Sequence, residues 1–446
     1  MTKLGSEPIN TLFWKYSIPA IIASTSTSLY NVIDRIFIGQ GVGPYAISGL
    51  SLTLPLMNIA VALSTLIGIG ASSMISIRLG EKKGDLAIRT LGNATLLFLI
   101  LGGSFSIISL IFIEKILILF GASELTLPYA KDFMVIILWG NIFGNLFYGL
   151  YNMMRSSGYP TKAMTGMILS VLANLILAPM FIFVFKWGIK GAAFATVIAQ
   201  VLGLLFFVSH FLNSKHIVHY TSSCFKLSKE IITKIFSIGL SPFVVHFCAF
   251  FVIAVVNLQL KKYGGDFAIG AAGIINSIAG LIIMIIFGFA QGMQPLVGYN
   301  FGAKQHQRMW DAYKLSVIWA TIIAGIAWAF ALIYPQWISK AFTNDPELIA
   351  QTANGIRLYF LVFPVIGFQL VTSHFFLSIG QAKISIMLSL FRQVIVLLPF
   401  LFILPPIWEV DGVWLSEPFA SSFSMVLAMW IMYRWYTKQE WKTVKL

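Results

Sequence analysis

The stretch GASSMISIRLGEK, residues 70–82, returns as GMQPLVGYNFGAK, residues 292–304, and each copy closes a long apolar run. The shared frame is Gly70-x9-Gly80-Glu81-Lys82 against Gly292-x9-Gly302-Ala303-Lys304, a displacement of about 222 residues. The same displacement relates Ile18-Pro19 to Ser241-Pro242, Ala46-Ile47 to Ala268-Ile269, Ser157-Gly158 to Ile379-Gly380, and Gly191-Ala192 to Gly412-Val413. The chain therefore consists of two parallel halves. In a membrane, parallel repeats are related by a pseudo-two-fold axis along the bilayer normal and leave a path between them, the usual architecture of a carrier.

Composition places those halves in a bilayer. The 446 residues are 58% hydrophobic and only 10% charged, too apolar for a soluble globular protein. Twelve segments have the length and hydropathy of spans: 11–38, 46–79, 88–112, 127–151, 162–185, 190–213, 233–260, 268–300, 312–334, 350–378, 384–404 and 413–436. Their periodicity is helical, and helices satisfy their own backbone in hydrocarbon. The expected fold is an all-α membrane protein of twelve transmembrane helices in two pseudo-symmetric six-helix lobes. The lobes cover residues 1–213 and 233–436, joined by a cytoplasmic loop over 214–232 and followed by a tail over 437–446. Pro19, Pro55, Pro242, Pro295 and Pro364 fall within spans and are expected to kink them; Pro19 and Pro242 are the hinge candidates.

The net charge of +14 would point to a polyanion in a soluble protein, but here its placement sets topology. Twenty Lys and Arg flank the spans on one side and seven on the other, which predicts cytoplasmic termini in a cell (inner) membrane and no nucleic-acid partner. The first apolar segment runs on into a full span without a cleavage site and stays in the protein. Cys224 and Cys248 are too far apart in character, loop and span, to form a disulfide.

Ionisable side chains inside spans are costly, so each is a functional candidate. They are Asp34, Arg35, Arg357, Arg392 and Glu417. Asp34 stands out because Thr27, Tyr30, Asn31 and Asp34 recur at i, i+3, i+4 and i+7 and share one helical face. A carboxyl on such a stripe, in a partly dehydrated cavity, is suited to take and release a proton, whereas Arg35 lies about 100° round the helix. A structural partnership of Asp34 with an arginine or hydroxyl is the competing reading. Asn174, Thr196 and Gln200 extend the polar set in the first half, and each alone reads equally as interhelical packing. Met153 and Met180 are candidates for an adaptable apolar cavity wall. In the second half, Arg357, His374, Arg392, Gln393 and Glu417 form a possible cluster, with a bundle-holding Glu417–Arg pair as the plainer alternative. His216 and His219 have no ligand companions, so no metal site is expected. No phosphate-cradling loop occurs, which leaves transport without an ATP motor in this chain.

The motifs resemble those of multidrug and toxic compound extrusion (MATE) exporters, in the DinF-like and MepA-like branch. The resemblance covers essentially the whole chain and rests on Tyr30-Asn31-Val32-Ile33-Asp34-Arg35-Ile36-Phe37-Ile38-Gly39, Gly68-Ile69-Gly70-Ala71, Gln291-Gly292-Met293-Gln294-Pro295, Arg392-Gln393, and Gly412-Val413-Trp414-Leu415-Ser416-Glu417-Pro418. It implies two lobes facing each other in a V, alternating access, and export of cationic or amphipathic small molecules by antiport, without a cofactor and as a monomer in membrane lipid. Asp34 maps onto the family's coupling carboxylate, with Tyr30, Asn31, Asn174 and Thr196 around it. Thr27, Met153, Met180, Gln200, Gln291, Arg392 and Glu417 are the substrate-cavity candidates. One departure bears on the ion. The family's Asn-x-x-Leu-Asp-Pro reads Asn174-Leu175-Ile176-Leu177-Ala178-Pro179 here, so a second carboxylate is missing. The seventh span carries Asn257 rather than a carboxylate at the place matching Asp34. A proton needs one carboxylate and Na+ several oxygens, so H+ is the expected coupling ion, with Na+ the alternative. The rival functions are a flippase for lipid-linked or anionic amphiphiles, whose head groups Arg35, Arg357 and Arg392 would suit, and an integral-membrane lipid enzyme, whose His and carboxylate cluster is not evident.

Overall fold

The computed structural model describes residues 3–343 and 345–438, without the side chains of Lys3, Asn31, Val32, Pro44, Phe250 and Asp266. Among the described residues the regular structure is entirely helical. The first half comprises α1 (Ile9–Gly41), α2 (Tyr45–Gly80), α3 (Gly84–Ile111), α4 (Leu127–Ser156), α5 (Pro160–Val184) and α6 (Gly188–Phe211). The second comprises α7 (Lys229–Gly265), α8 (Phe267–Gly302), α9 (His306–Ile333), α10 (Pro346–Ser378), α11 (Ala382–Ile403) and α12 (Pro405–Thr437). Ten of these are long and apolar enough to cross a bilayer, and α10 does so as two segments bent by 54° between Tyr359 and Pro364. Helix α1 has the length, 33 residues, but carries the polar run Ser24–Ser28.

The prolines sort into two kinds. The helices run on through Pro19, Pro55, Pro242 and Pro295, whereas Pro364 opens the second segment of the bent α10. Pro160, Pro346 and Pro405 sit in the first turn of their helices, where the missing N–H has no intrahelical partner to lose. Asp345 caps α10 by accepting from the Leu348 N–H.

The internal repeat is visible in the backbone. Lys82 and Lys304, each two residues beyond the end of α2 and α8, both adopt left-handed φ, 62° and 58°. Gly158 and Gly380 repeat the device after α4 and α10, at 103° and 77°. The seam between the halves obeys the same symmetry. A Cβ on Gly80 would stand 2.0 Å from the Tyr299 carbonyl oxygen, and one on Gly302 would stand 2.2 Å from that of Ile77. Further along, Gly70 and Gly239 meet the backbones of Ile235 and Leu66, and Gly292 meets Ser17. Helices that touch backbone to backbone through small residues are how apolar spans associate without a hydrophobic drive.

Each half also lends the start of its first helix to the other. Leu12, Phe13 and Tyr16 of α1 are buried in the second-half core with Phe289 and Met293, while Ile231 and Ile235 of α7 are buried in the first-half core with Ile75 and Leu79. The contact runs on along α1 to Ile21, against Gly288, and Ser24, whose hydroxyl donates to the Met284 carbonyl at 3.2 Å. The clusters around Ile38, Leu50 and Ile182, and around Leu56 and Met134, draw on first-half residues alone. On the same stretch Leu29 of α1 and Leu258 of α7 are exposed. The lobes are thus joined at the end bearing Gly80 and Gly302 and part toward the other, the V expected of this class.

Candidate substrate and ion site

In the first lobe α1, α4, α5 and α6 line a narrow polar cleft whose free space, about 10 Å³, is the size of a water molecule. Thr27, Tyr30, Ser170, Asn174, Thr196 and Gln200 line it with Tyr148 and a few apolar side chains. Five of the residues singled out in the sequence are therefore neighbours in space. The Asn174 amide donates to Thr196 Oγ1 at 3.2 Å, and the Tyr30 hydroxyl lies against Thr196, close to Tyr148 and Asp34. Thr27 turns its hydroxyl back onto the Ala23 carbonyl at 2.8 Å, as threonines in apolar helices do. The Asn31 side chain lies outside the described residues.

Asp34 stands one turn beyond Tyr30 and is 9% exposed. Among the described residues its Oδ1 has no hydrogen-bond partner, and no basic group comes within ion-pair distance of it. Arg35, the next residue, is exposed. A buried carboxyl oxygen without a donor is expensive when charged. Position 178 is fully buried, with Ala178 packed against Ala195 and Phe181 and next to Phe37 and Met180. The surface where a second carboxylate would stand is hydrocarbon. Met180 opens a π-helical turn, Met180–Val184, that ends α5, and Met153 is buried in the first-lobe core away from the cleft.

The second lobe arranges its charges differently. Arg392, in the π-helical turn Phe391–Leu397, donates from Nη1 to Glu417 Oε1 at 2.7 Å, with Tyr359 nearby. Arg357 and Asn257 are exposed, and the His374 ring packs edge-on against Phe287. Of the second-half candidates the fold brings Arg392 and Glu417 together and leaves Arg357 and His374 apart. Gln291 is at the seam between the lobes, where its Oε1 accepts from Arg155 Nη1 at 2.6 Å. Cys224 and Cys248 are free thiols, and His216 and His219 spend their Nδ1 atoms on Tyr159 and on a backbone carbonyl.

Two like halves of six helices, most of them long and apolar enough to cross a bilayer, with a polar cleft within one lobe, define a multi-pass membrane transporter. The MatE family model matches the chain twice, over residues 19–180 and 242–403, each match opening on one of the two repeated prolines. The chain belongs to the MatE (MATE) family, whose members are transporters and not enzymes. It is similar to the multidrug export protein MepA of Staphylococcus haemolyticus, with 29% identity over 94% of this chain and 92% of the relative. MepA of Staphylococcus aureus strain NCTC 8325 is 28% identical over 96% and 94% of the two chains. The MATE multidrug transporter DinF-BH, solved in complex with a ligand, is 35% identical with a TM-score of 0.89 over 96% of both chains. An outward-facing MATE transporter superposes with a TM-score of 0.93 over 98% of both chains at 23% identity, a likeness of fold.

Proposed function

We propose that the protein is a secondary active multidrug exporter, exchanging cationic or amphipathic small molecules for protons through Asp34. The observation that carries this reading is the buried carboxyl of Asp34, whose Oδ1 has no hydrogen-bond partner among the described residues, one helical turn beyond Tyr30 of the first-lobe polar cleft. While charged it attracts a cation; once protonated it does not. That difference in affinity between two states is what exchange requires. Ala178 in its hydrocarbon setting supports H+ over Na+, because the oxygen ligands a sodium ion needs are not assembled there. Relatives named as multidrug exporters, and a 35% identical multidrug transporter that takes a ligand, support the cargo class.

The excess of Lys and Arg at the joined end of the V orients the molecule with its termini and the 214–232 linker toward the cytoplasm. The closed seam then faces inward and the cleft outward. Protonation of Asp34 from outside repacks α1 about Pro19, and the cargo is released. The protein acts as a monomer in the cell membrane.

The test uses purified protein in liposomes loaded with ethidium, under a pH gradient or a Na+ gradient, beside Asp34→Asn. The expected result is efflux driven by the pH gradient alone and lost in the variant. Uphill export by Asp34→Asn would sink the coupling role, and export driven by Na+ alone would replace the ion. No movement of any cation under either gradient would remove the multidrug reading.

A further inference from the structure

Arg155, at the end of α4, is 1% exposed, and no carboxylate lies within ion-pair distance among the described residues. Its charge is met by neutral oxygens. Nη1 donates to Gln291 Oε1 at 2.6 Å, and Nη2 donates to Gln294 Oε1 and to Asn152 Oδ1, both at 3.1 Å. Gln294 in turn donates from Nε2 to Ser73 Oγ of α2 at 2.7 Å. The guanidinium also lies over the Tyr151 ring, 5.6 Å from its centroid. Asn152, Tyr151 and Ser73 belong to the first half, whereas Gln291 and Gln294 belong to α8 of the second. The network therefore crosses between the lobes, in the same stretch of α8 where Gly292 meets the backbone of Ser17.

The chemistry of the acceptors is informative. A buried guanidinium opposite a carboxylate makes a contact that is hard to part, because separation strands two charges. Amide oxygens give charge-assisted bonds stronger than ordinary ones, but parting strands only the arginine, which water then solvates. Such a contact closes a face firmly and can still be remade repeatedly. It also exists only when α8 lies against α4 and α2, since both glutamines come from across the seam.

We propose that Arg155 with Gln291 and Gln294 is the latch of the joined face, broken when the lobes part there and remade when they close. Arg155 is on this assignment a positioning residue: it touches neither cargo nor coupling ion, and acts by setting which face of the transporter is open. The assignment rests on alternating access but on neither the cargo nor the ion, so it survives if the proton reading fails.

The experiment is a distance measurement on the full chain in lipid nanodiscs without substrate. Spin labels are placed at Lys82→Cys and Lys304→Cys, exposed turn positions on the two sides of the seam, in a Cys224→Ser, Cys248→Ser background. Wild type is expected to show a short distance, and Arg155→Gln a seam-open population raised about tenfold or more, the worth of a charge-assisted bond. Gln291→Leu with Gln294→Leu, which strands the guanidinium, is expected to shift the population further in the same direction. Arg155→Lys, able to reach one amide at a time, is expected to fall between. If Arg155→Gln fails to fold, Gln294→Ala, which leaves Gln291 as the acceptor across the seam, decides the matter by the same readout. A folded variant with the wild-type distance distribution overturns the latch, whatever its transport rate.

Discussion

The two lobes descend from one sequence pattern, yet each treats its intramembrane charge in its own way. In the second lobe Glu417 is satisfied within the protein by Arg392 at 2.7 Å. In the first, Asp34 is buried with an oxygen that no described residue bonds. Thr196, which Glu417 matches in the repeat, serves instead as a hydroxyl relay between Asn174 and Tyr30. A paired carboxylate is a structural element because its charge is neutralised at all times, while an unpaired one responds to whatever arrives. In the mechanism we propose, that asymmetry gives exchange to the first lobe and the holding of shape to the second.

The contrast is broken most directly by exchanging charge for amide on each side. Asp34→Asn is expected to reduce gradient-driven efflux to the level of empty liposomes, whereas Glu417→Gln keeps a measurable, still gradient-dependent rate. Loss of coupling in Glu417→Gln with retention in Asp34→Asn would reverse the assignment. The next largest effect concerns the seam. Gly80→Ala drives a Cβ into the Tyr299 carbonyl and is expected to cost about 1–3 kcal/mol, read as a fall in Tm of the purified protein. Gly280→Ala, in the part of α8 where a Cβ meets nothing within 4 Å, is expected to gain about 0.5–1 kcal/mol by removing backbone freedom from the unfolded chain. Opposite signs in one helix pair would confirm that close approach is confined to the joined end.

A double-mutant cycle on Arg392 and Glu417 is expected to give a coupling of about 1 kcal/mol, because neither side chain is fully buried. The smallest effect lies at the end of α2. Burial pushes the Glu81 carboxyl up, but hydrogen bonds from Arg78 and Lys83 and the charges of both outweigh it and hold the group below the ordinary 4.5. A carboxyl depressed in the folded state contributes stability above its unfolded value, and that contribution is lost as pH falls through the folded value. Acid unfolding below about pH 4.5 is therefore expected to be less steep in Glu81→Gln, by under about 1 kcal/mol.

Much of this was readable from the chain because it is local or repeated. The span positions follow from hydropathy, and every one of the twelve ranges falls on a helix. The polar face of α1 follows from 3.6-residue spacing, and the turns after α2 and α8 recur because the sequence does. What sequence reading missed is what depends on the packing of distant helices. Arg155 reads as one more flanking charge that orients a span, yet it is buried against residues 136 and 139 positions away. A signal was present: Gln291 and Gln294, three residues apart on one face of an otherwise apolar helix, had to be satisfied by something. The Glu417 partner was legible as an alternative, but choosing Arg392 over Arg357 required the π-helical turn that presents it. The bend of α10 at Pro364 was signalled by the proline, though Pro19 and Pro242 carry the same mark in helices that run on.

The solitary guanidinium of Arg155 also bears on insulation. A protein that lives on an ion gradient wastes it if the closed face leaks, and sealing by shape alone does not stop a proton or a small cation. A fixed positive charge repels another cation about 8 Å away by about 2 kcal/mol at an effective dielectric of about 20. That repulsion thins such ions roughly thirtyfold. Because no carboxylate among the described residues pairs with it, the side chain proposed to fasten the seam would also make it an electrical barrier to the protons of the proposed exchange.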